Sequence, residues 1–222
     1  MTSCPETAAA ARTRHAIAKT AAELFLRRGY GGTSMDLIAA EAGVARQTIY
    51  NQFESKEALF RAIFSALADD AMMPLAVAAR KGASVRTALL HLARSCVATA
   101  LLPSRLALHR LVVAEAEHFP ELGRTIYNAG AARVVAQLAE FLRQQTGLGR
   151  LDVPNPEAAA EQFFSLVTGF QQFRALMNVE TPVREIEVHV QEAVDTFLRA
   201  FGGRRAPTRR KAGKIGTRQG KP

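Results

Sequence analysis

The 222-residue sequence has no tryptophan, 7% aromatic residues and only two cysteines, Cys4 and Cys96. Two thiols make neither a disulfide framework nor a cysteine-rich zinc site, so a reducing cytoplasm is the expected compartment. No apolar run approaches the roughly 20 residues that span a bilayer, so no membrane partner is expected. The opening residues, Met1 to Glu6, lack the basic start and apolar stretch of a secretory leader. A Gly-rich phosphate loop, a His-Glu-x-x-His pair and a nucleophile elbow are all missing, which argues against an enzyme and gives no reason to expect a cofactor. Glu115, Glu117 and His118 sit too close together to converge on a metal and read as a solvated helix end, so no metal is expected either. Acidic residues are absent from 204–222, where 8 basic residues carry most of the net charge of +9. Residues 1–56 contribute +2 and 57–203 contribute −1. The global charge suggests an anionic partner, but its location does not assign that partner to a folded domain.

What is present is apolar material at helical spacing. With 48% hydrophobic residues the chain has ample core, and no stretch alternates with the period of a strand. The spacing predicts helices over 12–28, 34–42, 45–52, 56 onward, 84–99, 103–117, 121–145, 157–177 and 183–201. Pro74 is expected to kink or end the fourth, because it removes a donor and clashes one turn back. The fold class is therefore all-α. It divides into an N-terminal three-helix unit over 12–56, a larger helical domain over 57–203, and a basic tail over 204–222 that is expected to be disordered.

The informative stretch is 31–60. Thr33 followed by Asp36 has the spacing of a capping box. Ala39 is small enough for two helices to cross closely, and Gly43 suits a positive-φ turn between them. Ile38, Val44, Ile49 and Phe53 then face a core shared with Leu24 and Phe25, leaving Arg46, Gln47, Thr48, Tyr50 and Asn51 on the start and outer face of the third helix. Arg and Gln carry the donors that read guanine and adenine edges in a major groove, and hydroxyls suit phosphate oxygens. The plainer alternative is a helical hairpin with a polar solvent face.

Tyr30, Thr33, Ala42-Gly43-Val44, Thr48-Ile49-Tyr50, Phe53 and Ser55-Lys56-Glu57-Ala58-Leu59-Phe60 together resemble the N-terminal domain of the tetracycline-repressor (TetR) family of bacterial transcription regulators. Residues 114–122 are similar to the branch with an AefR-like C-terminal domain. Two departures are Ala45, where the family often has Ser, and Gln52, where many members have His. The resemblance implies base contacts from Arg46 and Gln47, phosphate contacts from Thr33, Thr48, Tyr50 and Lys56, and an N-terminal arm carrying Arg12 and Arg14. It also implies that 12–56 is a helix-turn-helix DNA-binding domain and 57–203 a ligand-binding and dimerisation domain, with a homodimer formed through the last two helices. Phe163, Val167 and Phe170 form a stripe on one, and Ile186, Val190, Ala193, Val194, Phe197 and Phe201 on the other; the alternative is that each stripe faces its own core. His91, Cys96, His109, Phe141, Phe164, Gln171 and Arg174 are the candidates to touch a small-molecule effector, with core packing as the alternative.

The fourth helix would complete the first core through Leu59, Phe60 and Ile63 and continue into the second domain, a physical route for allostery. The expected function is sequence-specific binding of double-stranded operator DNA by a repressor that an apolar or amphipathic effector releases. The rival reading is an all-helical interaction protein whose basic tail binds nucleic acid without discrimination.

Overall fold

The computed structural model describes residues 5–203; the tail over 204–222 lies outside the described residues. Eleven α-helices follow one another: α1 Pro5–Arg28, α2 Met35–Glu41, α3 Arg46–Gln52, α4 Lys56–Arg80, α5 Val85–Ala100, α6 Pro103–Glu115, α7 Pro120–Ala129, α8 Ala131–Gly147, α9 Pro156–Phe164, α10 Phe170–Leu176 and α11 Val183–Phe201. A π-helical turn, Ser165–Gly169, joins α9 to α10. Among the described residues the nearest approach to a sheet is one bridge between Leu151 and Gly202.

Local chemistry sets most boundaries. Ser34, Ser55, Ser84 and Asn155 cap α2, α4, α5 and α9, each side-chain oxygen accepting from the N–H three residues on, worth about 1 kcal/mol apiece. Pro103, Pro120 and Pro156 open their helices, where the missing donor costs nothing. The capping-box expectation at Thr33 is corrected by one residue: Ser34 is the cap, through Leu37 N–H at 3.2 Å.

Two further expectations change. Helix α4 does not end at Pro74 but continues through it. Met72 and Leu75 on either side of it are 4% exposed, and their burial contributes about 1.5–3 kcal/mol each, enough to offset the roughly 3 kcal/mol proline penalty. The single helix expected over 121–145 is two, broken at Gly130, whose φ of −105° and ψ of −90° leave the helical region. By length and composition α4 meets the measure of a membrane span, yet Asp69 and Asp70 interrupt it, so the expectation of no unbroken apolar run of that length stands. The apolarity of α4 has another cause, for it serves two cores.

The first core joins Ile17, Leu24, Phe25, Ile38, Ile49 and Phe53 to Leu59, Phe60 and Ile63 of α4, and is closed by Leu108, Leu122 and Ile126 from α6 and α7. The second packs Met72 and Leu75 of α4 with α5, α8, α9 and α11, through residues such as Leu89, Leu92, Leu138, Phe163, Val194 and Phe197. The helix-turn-helix is thus covered by helices that come more than 40 residues after it in sequence.

Candidate nucleic-acid interface and its coupled cavity

Between α2 and α3 the chain reverses at Gly43, with φ +64° and no atom within 4 Å of where a Cβ would stand. The requirement there is conformational rather than steric. Val44 N–H returns to the Ala39 carbonyl at 3.0 Å, and Ala39 itself is 4% exposed at the helix crossing. This sets α3 with Ile49 buried and Arg46, Gln47, Tyr50 and Asn51 exposed; Thr48 is half-buried. Ala45 supplies no side-chain cap.

The exposed side chains are ordered by one another. Gln47 Nε2 donates to Asn51 Oδ1 at 2.9 Å. Arg46 pairs with Asp36 at 3.0 Å, and its guanidinium lies 5.8 Å from the Tyr50 ring centre. Such an exposed pair is worth at most about 1 kcal/mol, so Arg46 exchanges Asp36 for another acceptor at little cost. Arg12 is exposed on α1.

Thr33 and Lys56, expected to meet phosphate, and Arg14, expected on an N-terminal arm, are each engaged within the fold. Thr33 is 2% exposed, and its hydroxyl donates to the Gly29 carbonyl at 2.8 Å. Lys56 Nζ donates to the carbonyls of Tyr30 and Thr33 at 2.7 and 2.9 Å and stands 4.2 Å over the Tyr30 ring. It therefore clamps the α1–α2 loop, and burial lowers its pKa against the opposing pull of Glu115. Arg14 donates to the Gln52 carbonyl and covers the Phe53 ring at 4.1 Å, which ties it to the end of α3 rather than leaving it on a free arm.

The same loop is gripped from the other side by the C-terminal half of the molecule. Tyr30 N–H donates to Glu115 Oε1 at 2.9 Å. The Phe119 ring meets Tyr30 edge-on at 5.4 Å and covers Gly31. A Cβ on Gly29, which has φ +75°, would come within 2.9 Å of Glu115 Oε1. Glu115 is therefore a loop acceptor and not the solvated residue expected. Neither Glu115 nor Phe119 was legible as an interface residue from periodicity; the one signal was the 114–122 stretch that resembles a regulator branch.

Beyond the latch lies a cavity of about 380 Å³ among α4 to α10. Phe64, Leu67, Val112, Ile126, Val134 and Phe164 make its apolar wall, and Thr99, Arg105, His109, Tyr127, Thr168 and Gln172 supply polar atoms. Of the sequence-derived candidates, Cys96, His109 and Phe164 line it. Burial pushes the Cys96 thiol up to about 12, so it presents a neutral wall. His109 is exposed at the rim, and partial desolvation there lowers its pKa.

The other four ligand candidates are placed elsewhere. His91 is exposed, and Phe141 belongs to the second core. Arg174 lies over the Phe170 ring. Gln171 lines a separate recess with its buried Oε1 unpartnered among the described residues. An aromatic series, Phe64–Phe60–Tyr30–Phe119, runs from the cavity wall to the latch with ring centres 5.2–5.4 Å apart.

Five residues expected at a dimer surface are core residues of their own chain: Phe163, Val167, Val190, Val194 and Phe197 are 0–1% exposed, and Ala193 is buried with them. Helical period identified the stripe but not the side it faces. Ile186 and Phe201 are half-buried. Phe170, by contrast, is 68% exposed, and Leu166, Phe173 and Met177 at helical spacing from it are exposed too, as are Val183 and Val188 of α11.

A capped helix-turn-helix with an exposed donor face, built onto a cavity-bearing helical body, defines the class of helix-turn-helix regulators. Residues 17–63 match the family described as bacterial regulatory proteins, tetR family, and residues 87–203 match the AefR-like transcriptional repressor C-terminal domain. The chain belongs to the tetR family of transcriptional regulators. Among solved structures it is similar to a TetR-family regulator from Mesorhizobium loti MAFF303099, with 29% identity, a TM-score of 0.72, and coverage of 87% of this chain and 98% of that one. A protein described as the flavonoid-responsive regulator FrrA has 30% identity and a TM-score of 0.69, covering 87% and 99% of the two chains. A TetR-family regulator from Pseudomonas syringae pv. tomato DC3000 shares 30% identity at a TM-score of 0.61, covering 85% and 96%. A further relative, the HTH-type transcriptional regulator YhgD of Bacillus subtilis (strain 168), is 43% identical over 65 residues, a stretch spanning 26% of this chain and 34% of that protein.

Proposed function

We propose that this protein is a cytoplasmic, homodimeric repressor whose cavity accepts a small apolar or amphipathic effector and whose helix-turn-helix releases operator DNA in response. Residues 12–56 act as the reading head, 57–203 as the sensing and dimerising body. Arg46 and Gln47 read base edges, Asn51 orients Gln47, and Tyr50 and Thr48 meet phosphate. Arg12 approaches the backbone from α1. The dimer forms through Phe170 with Leu166, Phe173, Met177, Val183 and Val188, flanked by Ile186 and Phe201. Two heads are needed because one recognition helix reads too few base pairs, and dimers of this kind address half-sites about 34–36 Å apart or multiples of that spacing.

The observation that carries the reading is the position of α6. Its middle lines the cavity through Arg105, Leu108, His109 and Val112, and its last residue, Glu115, holds Tyr30. An effector that displaces α6 therefore acts on the head through two paths, the latch and the shared helix α4. Couplings of this type amount to about 1–3 kcal/mol. That FrrA is described as flavonoid-responsive agrees with an aromatic effector for this cavity.

The test is a mobility shift on DNA from the protein's own upstream region against scrambled DNA of equal length, repeated with ligands that raise the melting temperature. Preference for the upstream DNA, weakened by a stabilising ligand, is the expected result. Equal binding to both DNAs would favour a tail-driven, non-discriminating binder.

A further inference from the structure

Arg105 stands apart from the other arginines of the described chain. Those with no ion pair, hydrogen bond or ring partner among the described residues are Arg12, Arg28, Arg80, Arg184 and Arg105. The first four are exposed, whereas Arg105 is half-buried in the cavity wall. Burial lowers its pKa, and Asp70 opposes that shift only from a distance beyond ion-pair contact. Its neighbour one turn on, His109, lines the same wall, and the remaining polar atoms there belong to Thr99, Tyr127, Thr168 and Gln172, none of them ionised at neutral pH.

We propose that Arg105 is the specificity determinant of the cavity and that the effector is a monoanionic amphiphile, one carboxylate or ionised phenol on an apolar body. The inference rests on the cavity being the effector site. A half-buried guanidinium lacking an internal partner favours an anion that accepts two parallel hydrogen bonds. The single cation on the wall disfavours phosphate monoesters and dianions, which bring more charge than the wall neutralises. The apolar wall of Phe64, Leu67, Val112, Ile126, Val134 and Phe164 takes the body of the ligand, and its rings favour an aromatic one. A neutral ligand would cover the guanidinium without supplying the opposing charge.

The experiment uses the full-length protein and two matched series measured by calorimetry and thermal shift: biphenyl-4-carboxylate with its primary amide, and decanoate with decanamide. The expected result is tighter binding of the acid than of its amide by about 10- to 100-fold, the range of charge-assisted hydrogen bonds. Arg105→Met should abolish that preference while keeping amide affinity, and Arg105→Lys should keep part of it. Leu67→Trp, which fills the cavity, should remove binding of both members. Equal affinity for acid and amide with sensitivity to Leu67→Trp would overturn the charge assignment and leave the cavity reading standing. Binding of neither series, or binding indifferent to Leu67→Trp, would overturn both. Preference for the biphenyl acid over decanoate identifies an aromatic body, and the reverse an alkyl one.

Discussion

At the scale of single residues, the head divides into side chains that face outward and side chains that hold the loop. Arg46→Ala should weaken binding to the cognate operator by about 1–3 kcal/mol with an unchanged circular dichroism spectrum, because Arg46 is exposed and its Asp36 partner remains solvated. Fluorescence anisotropy on cognate and scrambled DNA checks it; equal losses on both would make Arg46 a phosphate contact. Lys56→Met should behave differently. It strips the donors from the Tyr30 and Thr33 carbonyls, so it should lower the melting temperature before any effect on DNA is measured. Gly43→Ala meets no neighbouring atom and should cost only the positive-φ penalty, about 1 kcal/mol. Gly29→Ala adds a collision with Glu115 Oε1 to the same penalty and should be the worse of the two in urea melts. For His109, whose pKa is lowered on folding, the folded state binds fewer protons than the unfolded one below pH 6.5. Stability from this site is complete above the unfolded value of about 6.5 and is lost as pH falls through it. The melting temperature should therefore fall between pH 7 and 5, less steeply in His109→Gln.

At the scale of elements, what the sequence made legible was what is decided within a few residues. The α2–α3 turn, its glycine and the outward face of α3 follow from short spacings, and α11 falls at Val183–Phe201, as its period predicts. Contacts made across long separations were not legible. Tyr30 and Glu115 are 85 positions apart, and no local pattern in either segment announces the other. Pro74 misled for a related reason, since its local penalty is offset by burial of residues against helices not yet met in the chain. Of the stripe expected at a dimer surface, Phe163 and Val167 face their own core while Phe170 faces outward, because a helical period reports a face and not its neighbour. The latch itself is testable as an element. Glu115→Ala leaves the Tyr30 N–H without its acceptor, which costs about 1–3 kcal/mol where the group stays buried. It should lower the melting temperature and narrow the difference in operator affinity with and without effector. Glu115→Gln, which still accepts, should retain most of the stability. If both variants respond to effector as the parent does, α4 alone carries the signal.

For the molecule as a whole, Leu166, Phe170, Phe173 and Met177 are exposed large apolar residues at helical spacing along one face. Phe170→Asp combined with Phe173→Asp should give a monomer by sedimentation velocity, with helicity unchanged, since both residues lie outside the cores. Operator affinity should fall by far more than Arg46→Ala achieves, because losing the partner loses a whole half-site. A dimer that survives this double substitution would place the interface elsewhere.

The grip of Glu115 and Phe119 on the α1–α2 loop bears on how such regulators are recombined. A chimera that grafts residues 1–56 onto another body carries the reading surface but leaves behind Leu108, Glu115, Phe119, Leu122 and Ile126, which finish its core and close its loop. Residues 1–56 are therefore an incomplete folding unit in this protein. A transplant that keeps its operator preference and still answers to the new body's effector should be one whose recipient supplies a carboxylate and an aromatic ring at those two places.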